Sequence, residues 1–285
     1  RMLESYHGKE DSLAVKKAWP FLSNEDYHIR YAARLALEWQ DSQSWANQAY
    51  SEKDDLAAIH ALLGLARSDL AGSLKPSVDR LLKVDFDQLD KTGKLALLRT
   101  YSVIMSRGGT PDTNQVLAIA EQLDPFFPSS DDNLNEELCR VLCFLEYPTV
   151  VRKTIALMKT TQAKIPDYDA EVMKRHKGYG ARILSTMEAD AAPNILNIHL
   201  LFCLKDVRSG WSMNDRKAYL GELQNLATKK GGNMFAGYIQ KIRESAIASV
   251  PEKDRISLQY LMGEVKSVDL AKLPRAEGPG VAYTV

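Results

Sequence analysis

Apolar residues recur at helical spacing along most of this chain, and the period-two alternation of strands is hard to find. The clearest stretch is Asp26-Tyr27-His28-Ile29-Arg30-Tyr31-Ala32-Ala33-Arg34-Leu35-Ala36-Leu37, in which Ile29, Ala32, Ala33, Ala36 and Leu37 share one face. Their small size lets a second helix approach closely. Asp26 stands where it can cap the helix start, and Arg30 lies one turn on, within reach of a carboxylate. This is how the second helix of an αα-hairpin in a stacked repeat reads.

The same periodicity predicts helices over Leu13–Leu22, His28–Gln40, Trp45–Ser51, Leu56–Ser68, Leu74–Lys83, Thr92–Ser106 and Asn114–Leu123. Each pair spans roughly 30–45 residues, the period of αα solenoids. Asp54-Asp55 and Asp112-Thr113 precede helix starts as caps, and Arg107-Gly108-Gly109-Thr110-Pro111 is a helix stop followed by a turn. The stretch from Asp124 to Asp132 is the most loop-like in the middle of the chain. A further hairpin follows it, Leu134–Tyr147 and then Pro148–Thr160.

Beyond Thr160 the repeat loses its register. Helices are expected over Asp167–His176, Ala181–Ala189, Ile195–Val207, Asn214–Lys230 and Asn233–Val250, and an extended linker from about Ser267. The organisation expected is αα-repeats over residues 1–160, a divergent helical continuation over 161–265, and a linker over 266–285 towards a C-terminal domain outside this segment.

Charge alters the picture only by what it disfavours. With 37 basic and 37 acidic residues in 285, the formal net charge is zero, which argues against a dedicated nucleic-acid surface while leaving room for a local basic groove. No run of about 18 apolar residues suggests a membrane span. Arg1 is not an initiator methionine, so the chain reads as an excised or processed segment. Cys139 and Cys143, one turn apart on an apolar helix, read as small core residues and not as a disulfide.

Two blocks carry a family resemblance. One runs from Leu134-Asn135-Glu136-Glu137-Leu138 to Tyr147-Pro148-Thr149-Val150-Val151-Arg152-Lys153-Thr154. The other joins Tyr179-Gly180-Ala181-Arg182-Ile183-Leu184, His199, Asp206-Val207-Arg208-Ser209-Gly210-Trp211, Arg216-Lys217-Ala218-Tyr219 and Gly231-Gly232-Asn233-Met234-Phe235, with Gly278-Pro279-Gly280 near the end. Together they resemble the HEAT-like region of large exported bacterial proteins of planctomycete, verrucomicrobial and Bacteroidetes type. Those proteins pair such a region with a c-type cytochrome domain. The resemblance implies an all-α, HEAT/armadillo-like αα-superhelix with an irregular helical C-terminal part, in a periplasmic or otherwise exported setting. It supplies no catalytic residue here, and the haem-attachment motif is missing from the segment.

Candidate chemistry is sparse. Lys174, Arg175, His176, Lys177 and Tyr179 lie at a helix end, where eight Lys/Arg against three acids between Arg152 and Arg182 mark a cationic patch. They are read either as an anion or partner contact or as ordinary cationic capping with a glycine stop, the second being favoured by the helix dipole. His199, on an apolar helix, is either a half-buried hydrogen-bonded residue or a ligand offered to a neighbouring domain, and its apolar neighbours favour the first. Trp211 follows Gly210 and reads as the anchor of a tight turn. Nucleophile elbows, phosphate loops, dinucleotide fingerprints and metal-binding spacings are absent from the sequence.

The expectation is therefore a non-enzymatic scaffold or protein-interaction module with no cofactor of its own and no nucleic-acid partner. Its partner is expected to be a protein or an adjoining, possibly haem-bearing, domain. Two alternatives stand beside it: a HEAT-fold nucleic-acid enzyme of the alkyl-base glycosylase type, and a lyase or chaperone handling a tetrapyrrole or a protein client.

Overall fold

The computed structural model describes residues 1–68, 72–163, 192–229 and 234–262, together with Arg175, Gly178 and Gly231. Among these the chain is all-helical, with thirteen α-helices and no strand. None of these helices is long and apolar enough to cross a membrane. Cys139 and Cys143 are both buried and free.

Helices α1 (Ala14–Ala18), α2 (Tyr27–Glu38), α3 (Ala46–Ser51) and α4 (Asp55–Ser68) open the chain. Next come α5 (Leu74–Leu81), α6 (Lys91–Gly108), α7 (Thr113–Leu123), α8 (Asp132–Phe144) and α9 (Val150–Thr160). The last four are α10 (Ile195–Leu204), α11 (Met213–Ala227), α12 (Phe235–Ala248) and α13 (Glu252–Met262).

Local chemistry sets many of these boundaries. Asp26, Asp90, Asp112 and Asp131 each accept a backbone N–H in the first turn of the helix they precede. Ser212 and Asp215 form a reciprocal capping box at α11. The helix expected over Leu13–Leu22 is shorter than its periodicity suggested. It becomes a 3₁₀ turn at Trp19–Phe21, where Pro20 removes a donor. Helix α13 is the opposite case, an element not expected from the sequence; Leu258 is buried, and the partly buried Leu261 and Met262 pack on the core beside it. The tight turn expected before Trp211 is present. Gly210 has φ +75°, and a Cβ there would stand 3.0 Å from the Pro148 carbonyl oxygen.

The packing alternates. Helix α2 touches α4, α4 touches α6, α6 touches α8 and α8 touches α10, so among the described helices every second one joins one continuous row. Helices α3, α5, α7 and α9 pack beside it, and α11 joins α9 to α12 and α13. Between Ala57 and Ala66 every residue of α4 is buried, which fits a helix flanked by α2, α3, α5 and α6. One hydrophobic cluster runs from Leu3 to Leu258. Amide side chains fasten one layer to the next. The Gln122 amide donates to the carbonyls of Leu81 and Val84 while its oxygen accepts from Tyr101, and Asn197 donates to Met158 and Glu222.

Candidate functional site

Three helices of the central row each turn one stripe of side chains into a shared cleft. Helix α2 contributes Tyr27, Arg30 and Arg34, α4 contributes His60, Leu63 and Arg67, and α6 contributes Thr92, Leu95, Ala96 and Arg99. The spacings are three and four residues, so each set runs down one helix face. The cleft has a volume of about 440 Å³, within the size range of small-ligand sites. None of the ten lining residues is acidic, and four are arginines.

Backbone and carboxylate contacts hold the cations in place. Arg30 is buried, and its Nη1 donates to the carbonyls of Asn24 and Glu25 at 2.6 and 2.9 Å. That corrects the expectation of a carboxylate partner one turn away: the chain entering α2 bends its own carbonyls towards the guanidinium. The Arg30 Nε is buried with no hydrogen-bond partner. Arg34 donates from Nε to Glu38 at 3.0 Å and lies over the Tyr31 ring, 5.0 Å from its centroid. Arg67 donates from Nε to both oxygens of the same carboxylate, at 3.0 and 3.1 Å. Gly64 makes room for this arrangement, since a Cβ there would lie 3.2 Å from Arg34 Cγ. Arg99 is exposed, with no ion pair among the described residues.

His60 is the most informative member. It is 4% exposed, and neither ring nitrogen has a hydrogen-bond partner. Burial, followed by the charges of Arg34 and Arg30, lowers its pKa from 6.5 to about 4. The folded state therefore holds a neutral imidazole with one unused donor and one unused acceptor. Because the unfolded chain binds the proton more readily, stability falls as pH drops from about 6.5 towards 4. Between pH 7.5 and pH 5 this should cost about 2 kcal/mol. Denaturant titrations at the two pH values check it: His60→Leu should flatten the difference, and an equal slope in the variant would remove His60 as its source.

The residues singled out in the sequence lie elsewhere. Lys174, His176, Lys177 and Tyr179 fall outside the described residues, and Arg175 is helical and exposed. His199, in α10, is half-buried with Nε2 3.0 Å from the Glu136 carbonyl oxygen and 3.3 Å from Cys203 Sγ. A hydrogen bond with Cys139 and burial push the Cys203 thiol far above its usual range, so this Cys–His contact supplies no thiolate nucleophile. Trp211 donates from Nε1 to the Val207 carbonyl at 2.8 Å, packs on Tyr219 and carries the Arg216 guanidinium over its ring. Among the described residues no group of three or more His, Cys, Asp or Glu is placed to hold a metal ion.

The cleft was not read from the sequence. Its cations come from helices whose first and last lining residues, Tyr27 and Arg99, are far apart in the chain, and a net charge of zero conceals their convergence. The available signal was the recurrence of arginine at positions 30, 34, 67 and 99 on alternate helices. No protein-family model matches the chain, nor does any curated protein or solved structure.

Proposed function

We propose that this chain is a non-enzymatic HEAT-type αα-superhelix that serves as a docking scaffold and receives an anionic group of a protein partner in the α2/α4/α6 cleft. The observation that carries the reading is the convergence of four arginines and an unpartnered buried histidine from three successive helices of one row. Contacts between every second helix support a stack of αα-hairpins, an architecture that presents long binding surfaces. Guanidiniums suit carboxylate and phosphate groups through their planar fork of donors. The exported setting and an adjoining c-type cytochrome domain rest on the resemblance of the 134–154 and 179–235 blocks, and redox chemistry would then belong to that neighbour.

Anisotropy of a fluorescein-labelled hexaglutamate peptide tests the docking reading. The full chain should bind it at low salt, weaken by about tenfold or more between roughly 20 and 200 mM salt, and lose it in Arg67→Ser/Arg99→Ser. Absence of binding at low salt, or binding indifferent to the double substitution, defeats the reading.

The same cationic cleft is what a nucleic-acid enzyme of the alkyl-base glycosylase type would need. The carboxylate tied to the cleft's arginines, Glu38, is occupied by Arg34 and Arg67 and is poorly placed to act as a free base. Binding of duplex DNA with release of an alkylated base would establish that alternative.

A further inference from the structure

We propose that the α2/α4/α6 cleft is a specific site for a compact tetrahedral dianion of the phosphate class, with Arg30, Arg34, Arg67 and Arg99 around it and the His60 ring as its innermost donor. This rests on the docking reading and narrows it from any anionic group to one chemical class.

Charge is the first argument. Four guanidiniums face one carboxylate, leaving a formal excess of three positive charges around about 440 Å³. A lone carboxylate would offset only one of them. Geometry is the second. The donors come from three successive helices and not from one residue or one loop, which suits an anion with several acceptor oxygens better than a planar two-oxygen group. Thr92, among the lining residues, lies in the first turn of α6, where the helix dipole favours negative charge. Third, His60 is buried and unpartnered while lining the cleft, so it has unmet hydrogen-bonding capacity at that position.

Binding should then be linked to protonation. Arg30 and Arg34 oppose a charge on His60, while Glu38 is held by Arg34 and Arg67, and the exposed Tyr27 and Arg99 also line the cleft. A bound dianion offsets two of the three excess positive charges and offers an acceptor to the ring, so it favours protonation of His60 as the ligand enters. Affinity for a ligand of constant charge should rise as pH falls.

Sulfate is the appropriate probe, since it is tetrahedral and stays doubly charged over the range used. Calorimetry on the full chain should show one sulfate bound, about tenfold tighter at pH 5.5 than at pH 7.5 with net proton uptake. Arg67→Gln/Arg99→Gln should weaken it by about tenfold or more. His60→Asn should keep the fold and erase the pH dependence. Inorganic phosphate and a phosphoserine peptide, compared at pH 7.5, separate a free anion from a phosphorylated partner as the source. Sulfate binding no tighter than chloride while hexaglutamate binds overturns this inference and leaves the docking reading standing. Failure of both ligands overturns both, and tight sulfate binding without pH dependence overturns the role given to His60.

Discussion

Trp45→Ala should cost this protein about 3–5 kcal/mol, whereas Trp39→Ala, six residues earlier, should stay within about 0.5 kcal/mol. Trp45 is 1% exposed and Trp39 is 49% exposed. The Trp45 ring meets Trp19 edge-on, with centroids 6.4 Å apart, and its far edge stands where α4 has only Gly64, 3.8 Å from a Cβ built there. Truncation would open a void between α3 and α4 that neighbouring side chains, already in contact, can fill only in part. The indole N–H is buried without a partner, so Trp45→Phe discards an unmet donor while keeping most of the ring, and should lose only about 1 kcal/mol. Urea unfolding followed by circular dichroism orders the three variants. A Trp45→Ala protein as stable as Trp39→Ala would mean that α3 does not pack on α4 as described.

That contrast shows where the sequence was readable. Both tryptophans lie beside the first repeat, and nothing in a linear pattern distinguishes the one that enters the core. Caps were legible because an aspartate acts on donors two or three residues away: Asp26 and Asp112 do what their positions imply. The all-helical class was legible because its periodicity repeats along the chain. Helix α13 was not, since its core-facing residues, Leu258, Leu261 and Met262, all fall in its last turn and a half and follow a polar first turn, Glu252-Lys253-Asp254-Arg255. The cleft was hidden for a different reason. Helix α4 is buried on all sides from Ala57 to Ala66, so no polar face marks where His60 points. Arg30, read as seeking a carboxylate, satisfies itself on carbonyls before its own helix. Convergence of this kind is a property of which helices become neighbours, and the i to i+2 stacking that produces it is non-local.

Glu38→Ala should lower stability and strengthen anion binding at the same time, and the two effects have one cause. Glu38 is the carboxylate that Arg34 and Arg67 share, with side-chain exposures of 11% for Glu38, 11% for Arg34 and 47% for Arg67. Removing it leaves two guanidiniums facing the Arg30 end of the cleft without compensation. A fully buried pair broken this way loses about 3–5 kcal/mol, and the partial exposure of Arg67 places this site near the lower end, about 3 kcal/mol. The formal excess in the cleft rises from three to four, so sulfate affinity should increase by about tenfold at low salt. A ligand that binds only the folded state stabilises it in proportion to how far its concentration exceeds Kd. Millimolar sulfate should therefore restore more stability to Glu38→Ala than it adds to the unsubstituted protein, and sodium chloride at equal ionic strength should not. Thermal melts in the two salts read this directly. If Glu38→Ala is destabilised and sulfate rescues it no better than chloride, Glu38 is a structural partner of two arginines and the cleft does not take up anions. If rescue is selective, the carboxylate offsets part of the charge that a bound anion would otherwise neutralise. Glu38 then both holds the arginines of the cleft together and limits how tightly the cleft binds anions.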